Sequence, residues 1–396
     1  IVVAGKDNPF GYELTNSSRL NFSPRAGFAY SLTKDNLTVL RGGFGRFFDR
    51  WPQYASSARN NYPFNQSVSI FNTSFSNPAQ GSLRVFPISL TSFNSPWDLP
   101  EMQKWSLGIQ RQLPARMVLD VSYVVSHGTH LVMSKDINQP VAGTAVASGQ
   151  INPNAARPYP GFAAITAYQT SGNSTYHSLQ ASLVKHMADG FSVEASYTWS
   201  KSLDDLASPL NTYAPLSVER EISGTDRTHV FTASYIWEVP FAHHMTGVRR
   251  KILDGWQVSG ITSVATGNPL TIGITGDRAG TGGGGQRPNL NGSVAMPETQ
   301  FKWFDTSVFS LPALGTFGNA GRSIIRGPGY FNTDLSFSKR TAIRENIMLQ
   351  FRGEFFNVFN HPQWSGVSTT FASGTFGQIT SARDPRITQL GLRLTF

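Results

Sequence analysis

The sequence contains no cysteine, so neither a disulfide framework nor a thiolate metal site can belong to its chemistry. Charge is also scarce, at 14% for Asp, Glu, Lys and Arg together, and no stretch approaches the roughly 18 consecutive apolar residues that a membrane-crossing helix needs. If this chain crosses a bilayer, strands must do it. The opening IVVAGKDNPFGYELTNSS has no basic segment leading into an apolar core, and no initiating Met. It reads as the interior of a longer chain, with any export signal or amino-terminal domain upstream. The formal charge of +9 would suit nucleic acid if it were clustered, but the 33 Lys and Arg are scattered, with one run at Arg249, Arg250 and Lys251. We read it as dispersed wall and loop charge and expect no nucleic-acid partner.

What the chain has in quantity is aromatics (28 Phe, 12 Tyr), Gly and Pro, the mixture of many strands and turns. Composition makes the expected fold class all-β, and the strand pattern that follows makes it an antiparallel transmembrane β-barrel. The last residues, ITQLGLRLTF at 387–396, put Leu390, Leu392, Leu394 and Phe396 on one side of an extended strand. Gln389, Gly391, Arg393 and Thr395 fall on the other. Outer-membrane barrels commonly close on such a strand with a terminal Phe, so these four residues are the expected barrel-assembly strand.

The same alternation recurs along the chain. It runs from Arg25 through a turn at Lys34, Asp35 and Asn36 to Phe48, and resumes at Trp105, Leu107 and Ile109. After a turn at Pro114 and Ala115 it continues from Met117 to Val125. Further strands are expected at Leu179 to Leu183, Phe191 to Trp199, Phe231 to Trp237, from Trp256, Phe331 to Phe337 and Ile347 to Phe355. Long aperiodic stretches separate them at 49–100, about 126–175, up to Asp226, at 267–330 and at 360–386. Short turns lie between, including 188–190 and an eight-residue turn from Lys339 to Asn346. About eleven strands of roughly 9 to 13 residues result, close to the ~9 to 11 that a tilted membrane strand needs. Connections alternate short and long without exception, which in a barrel puts every short turn on one side and every long loop on the other. Trp105, Tyr123, Trp199, Trp237 and Trp256 suit interfacial girdles. An open edge cannot sit in hydrocarbon, so the remaining strands are expected upstream.

Four segments carry a family resemblance: NFSPRAGFAY at 21–30, RGGFGRFFD at 41–49, LDGWQVSG at 253–260 and FRGEFFNVFNHP at 351–362. With the terminal Phe396 they resemble the carboxy-terminal barrel half of Oar-like TonB-dependent receptors. That resemblance implies a 22-stranded barrel around an amino-terminal plug, of which this chain would supply about eleven strands and neither plug nor TonB box. It implies an outer-membrane receptor that binds a solute at extracellular loops and imports it with TonB-supplied energy. The partners implied are the TonB complex, the barrel-assembly machinery, outer-membrane lipid and an unidentified solute. A passive porin or structural barrel and a secreted all-β adhesin stay open beside this reading.

Other chemistry is weaker. The glycine run at 279–285 lacks a phosphate-loop pattern and reads as a flexible loop tip. His243 and His244 are adjacent, so on a strand they would point apart and could not share a metal alone. Asp204 and Asp205 could touch calcium or a cationic ligand, though paired acids in a long loop usually keep it solvated. His177, Ser178 and His229 have no catalytic spacing, so no enzyme and no cofactor is expected. Asp120, Glu194, Asp334, Arg352, Glu354 and Arg393 fall on polar faces, either lining a lumen or pairing across strands. Candidate solute contacts are the loop aromatics Tyr62, Phe64, Phe71, Phe75 and Trp97, set among Asn and Ser.

Overall fold

The computed structural model describes residues 20–49, 61, 69–71, 74–77, 82–84, 87–147, 150–240, 245–344 and 346–396. Because the alternating segments are joined by tight turns, each strand pairs with the next in the chain, and eleven of them form one antiparallel sheet. They are β1 (Arg25–Ser31), β2 (Thr38–Phe48), β3 (Glu101–Leu113), β4 (Met117–Asp136), β5 (Phe162–Ala188) and β6 (Phe191–Asp204). The path continues through β7 (His229–Glu238), β8 (Trp256–Ala265), β9 (Tyr330–Arg344), β10 (Ile347–Phe356) and β11 (Ile387–Thr395). Ile88–Phe93 adds a parallel pairing to β5, and Glu221–Ile222 an antiparallel one to β6.

Short and long connections alternate along the whole path. The tightest resolved turn is Asp189 and Gly190, both with positive φ (53° and 73°), the geometry whose twist matches that of the flanking strands. The connection between β7 and β8 carries a helix, α1 (Gly247–Leu253). Gly255 ends it at φ 80°, where a Cβ would stand 2.6 Å from the Arg340 carbonyl oxygen, so the glycine of the LDGW segment is a steric requirement.

Two expected boundaries are corrected. The stretch 126–175 is mostly not loop: β4 and β5 remain paired from Ser126↔Tyr176 up to Asp136↔Thr166, leaving 137–161 as the connection. Likewise β9 runs to Arg344, paired Thr341↔Leu349 and Arg344↔Ile347, where an eight-residue turn was expected. In both places the ladder continues while the side chains turn polar (His127, Ser134, Lys135; Lys339, Arg340, Thr341). A strand needs an apolar side only where it faces something apolar, so the period fades before the pairing does.

Register makes the two faces continuous across the sheet. Leu107 stands opposite Tyr123, Tyr123 opposite Leu179, Leu179 opposite Trp199, and Ala195 opposite Ala233. Val258 stands opposite Phe337, Leu335 opposite Phe355, and Phe351 opposite Leu392. The intervening positions form a polar face: Gln110↔Asp120, Asp120↔Ser182, Ser196↔Thr232, Ser336↔Glu354 and Gln350↔Arg393. The apolar side chains are nevertheless exposed, Leu107 by 54% and Leu392 by 72%. Among the described residues neither β1 nor β11 has a partner on its outer edge, and every residue of both strands is exposed.

The contiguous buried hydrophobic cluster lies outside the sheet. Ile272, Trp303, Phe304, Phe309 and Ile325, all in the connection between β8 and β9, pack together with Trp364, Phe371 and Phe376 of the last connection. Phe376 meets Phe304, Phe309 and Phe371 edge-on at 5.3, 5.9 and 5.4 Å. The long connections thus fold into a cap at one end of the sheet.

Candidate functional site: the polar face and its cap

Asp120, Glu194, Asp334, Arg352, Glu354 and Arg393 all fall on the polar face, as expected. Several are already engaged: Arg352 pairs with Glu354 on its own strand at 2.5 Å, and the Asp334 carboxylate accepts from Asn332 Nδ2 and the Asn357 amide, each at 2.9 Å. A cavity of about 770 Å³ lies against this face and is lined by Glu194, Ser234, Ile261, Asp334, Arg352 and Phe356 among others. These come from β6, β7, β8, β9 and β10, and only a concave sheet lets side chains from five adjacent strands enclose one space. The polar face is therefore the inside of a curve and the apolar face its outside.

The cap over this curve is tied by ion pairs between distant segments. Arg287 pairs with Glu219 at 2.9 Å, Arg322 with Asp204 at 2.8 Å, Arg326 with Asp226 at 2.5 Å and Arg157 with Asp136 at 3.2 Å. Arg322 also donates to the Glu219 carbonyl at 3.0 Å. Asp204, Glu219, Asp226, Arg157 and Arg287 are buried, where a charge persists only with a partner. Three arginines of the connection between β8 and β9 thereby clamp the connection between β6 and β7. Sequence reasoning missed this set, since the partners are 68 to 118 residues apart and follow no local spacing. Beside it, burial pushes the Glu221 carboxyl above its ordinary value, against the pull of Arg287 and Arg322.

Asp204 and Asp205 correspond to neither of the readings offered for them. Both are buried, Asp204 on Arg322 and Asp205 accepting the Asn173 amide at 2.5 Å. The glycine run is a packed corner and not a free tip: Ala279 and Thr281 are buried, and Asp277 accepts the amides of Gly280, Thr281 and Gly282 at 2.9, 3.1 and 2.6 Å. His177 and His229 lie on the outer face, each bonded to a tyrosine oxygen at 2.8 Å (Tyr123 and Tyr197), while Ser178 is buried on the opposite face. The three do not converge. His243 and His244 lie outside the described residues, among which no group of three or more His, Asp and Glu could hold a metal ion.

Of the aromatic candidates, Tyr62 and Phe64 lie outside the described residues. Phe71 ends a short strand, Ser69–Phe71, and Phe75 stands fully exposed in a turn closed by the bridge Ser74↔Asn77. Trp97 is a correction: it is completely buried, with Phe93 packed edge-on at 6.0 Å. An indole is large enough to be recruited into the packing beneath a long connection, so it anchors this one and presents no surface to a solute.

The girdle residues are all on the outer face. Trp105, Tyr123 and Trp199 stand toward the long-loop end, and Trp237 and Trp256 toward the short-turn end. Phe191, opposite Trp237, and Trp199 are eight residues apart on β6. That is about 27 Å along the strand, or about 20 Å of height at a tilt of about 40°, near the apolar band of a membrane barrel. A family model described as an outer membrane beta barrel domain matches residues 1–389. The chain belongs to this family.

It is thus a protein of the bacterial outer membrane, and this family is one of membrane barrels, not enzymes. No curated relative matches the sequence. Among solved structures, the outer-membrane transporter YddB from Escherichia coli is similar at 9% identity and a TM-score of 0.51, with 95% of this chain and 40% of that one covered. A variant of the ferric enterobactin receptor PfeA from Pseudomonas aeruginosa is similar at 12% identity and a TM-score of 0.50, again over 95% and 40%. At these identities the likeness is one of fold. The chain spans about two-fifths of the length of each.

Proposed function

We propose that this chain is the carboxy-terminal part of an Oar-like TonB-dependent receptor, which binds a solute at its extracellular cap and admits it through the lumen when TonB pulls on a plug. In this reading the open edges of β1 and β11 pair with further barrel strands, and the plug occupies the concave polar face. The barrel-assembly machinery receives the chain through Leu390, Leu392, Leu394 and Phe396. The observation that carries the reading is the cap: a packed, ion-paired assembly of the long connections above a polar concavity is a surface suited to holding a solute at a lumen mouth. The turn at Phe75 is the first proposed contact, with Tyr62, Phe64 and Phe71 in the same connection.

The test is uptake. The solute that co-purifies with the protein from outer membranes is identified by mass spectrometry, and its accumulation is compared in cells with and without TonB. Loss of uptake without TonB is expected. Equal uptake in both would replace gated import by passive permeation.

A further inference from the structure

The one basic run of the sequence lies apart from the cap, in the connection between β7 and β8. Arg249, Arg250 and Lys251 sit in α1, on the short-turn, periplasmic side. The helix carries exposed apolar side chains beside its charges: Val248 is 72%, Ile252 58% and Leu253 47% exposed, and Met245, just before it, 38%. Val248 and Ile252 are one turn apart and so share a side. Three such residues on a seven-residue helix, with Met245 beside them, form a patch and not isolated exposures.

Where the helix sits decides what they meet. Its last turn is fastened to the outer face of the wall: Trp256 Nε1 donates to the Ile252 carbonyl at 3.2 Å, and Lys339 Nζ donates to the Asp254 carbonyl at 2.6 Å. Trp256 and Lys339 are cross-strand partners, and the ammonium lies 5.3 Å from the indole centre. Trp256 shares the outer face with Val258, Phe337 and Phe351, the last 6.4 Å away ring to ring. The helix is therefore attached beside the periplasmic girdle, on the side of the wall that carries lipid and not under the lumen.

We infer that α1 is an interfacial anchor lying in the periplasmic leaflet, with Val248, Ile252 and Leu253 among the upper acyl chains and Arg249 and Arg250 on anionic phospholipid headgroups. Arg250 is partly engaged by Asp254 at 3.2 Å, and among the described residues Arg249 makes no ion pair. Its long stem can reach the headgroups from beside the apolar side chains. Short amphipathic helices with basic residues bind by this combination of apolar insertion and headgroup attraction. Fixing one at the end of β7 and the start of β8 would set the depth of the wall in that leaflet.

These 396 residues contain no cysteine, so an introduced thiol is unique among them, and labelling of the protein without the substitution gives the background to subtract. The protein, purified from outer membranes, carries V248C, with L107C on the lipid face and A115C in a periplasmic turn as references. Each is placed in nanodiscs and treated with a bulky membrane-impermeant thiol reagent. The expected result is fast labelling of A115C, protection of L107C, and labelling of V248C at least tenfold slower than A115C in discs rich in phosphatidylglycerol. Exchange for phosphatidylcholine, or R249E in the V248C background, should speed V248C labelling about fivefold, the effect of one basic residue at an anionic surface. V248C labelled as fast as A115C, with L107C protected, overturns the anchor alone. Labelling of L107C overturns the placement of this outer face in lipid, and the anchor with it. Equal V248C rates in the two lipids overturn the assignment to anionic headgroups.

Discussion

Placing arginine on alternate residues of one strand separates the two faces of the wall most directly. Alternation nominates Leu349 and Phe351 for such a test, but Leu349 is two residues above the start of β10, and Phe351 packs on the girdle residue Trp256. Both are near the periplasmic interface, where a charge costs least. The midpoint between Phe191, which stands opposite the girdle residue Trp237, and the girdle residue Trp199 is Ala195, which faces outward between Leu183 and Ala233. Its neighbour Ser196 faces the lumen between Ser182 and Thr232. Ala195→Arg should therefore destabilise the inserted barrel by about 2 to 4 kcal/mol, the range for arginine at the bilayer midplane. That is a factor of about 30 to 900 in the folding equilibrium. Ser196→Arg gains lumen water and polar neighbours and should cost well under 1 kcal/mol, as surface substitutions do. Urea titration of folding into vesicles, followed by heat-dependent gel migration, reads both values. Equal losses at the two positions would refute the assignment of faces.

The other predictions concern the cap. Glu219→Gln leaves Arg287 buried without its counter-charge and should loosen the connection between β8 and β9 by about 3 to 5 kcal/mol, seen as protease cleavage within 266–329 while the wall stays folded. Phe304→Ala removes a ring that is 0% exposed and should cost about 3 to 5 kcal/mol, measured by hydrogen exchange at the amides of Phe309 and Phe376; exchange unchanged there would count against a shared core. Because burial raises the Glu221 carboxyl, the folded cap favours its protonated form. The stability this group contributes is full below its unfolded pKa and declines as pH rises through its higher folded pKa. Glu221→Gln should abolish that decline in pH-resolved hydrogen exchange of the cap, and an identical pH profile in both proteins would show that another group titrates.

The wall was legible from sequence because hydrocarbon imposes a demand on every second residue. Strands as separate as Arg25–Ser31 and Ile387–Thr395 stand where alternation puts them, and the outward girdle of Trp105, Tyr123, Trp199, Trp237 and Trp256 follows from the same parity. Above the bilayer that demand ends. The upper halves of β4 and β5 are held by a continuous backbone ladder and by scattered side-chain contacts such as Arg157 on Asp136 and Phe93 on Tyr168, none of which demands an apolar residue at every second position, so they read as loop. The cap was illegible for a different reason. The burial of Trp97 and the pairing of Asp204 with Arg322 depend on how long connections fold back on one another, and no periodicity records such contacts. The two acids looked like solvating charge because each was weighed only against its neighbours in sequence.

The length of β5 has a mechanical consequence. From Ser178, just beyond the outer girdle, to Phe162 there are 16 residue steps, about 50 Å of strand and about 40 Å of height at a 40° tilt. A sideways load at the tip of this hairpin therefore reaches the bilayer as torque on a long arm. Arg157 on Asp136 and Arg322 on Asp204 brace that arm at two levels. A force applied to the cap is in this way carried to the wall from a distance, and the stiffness of the mast decides how much of it arrives.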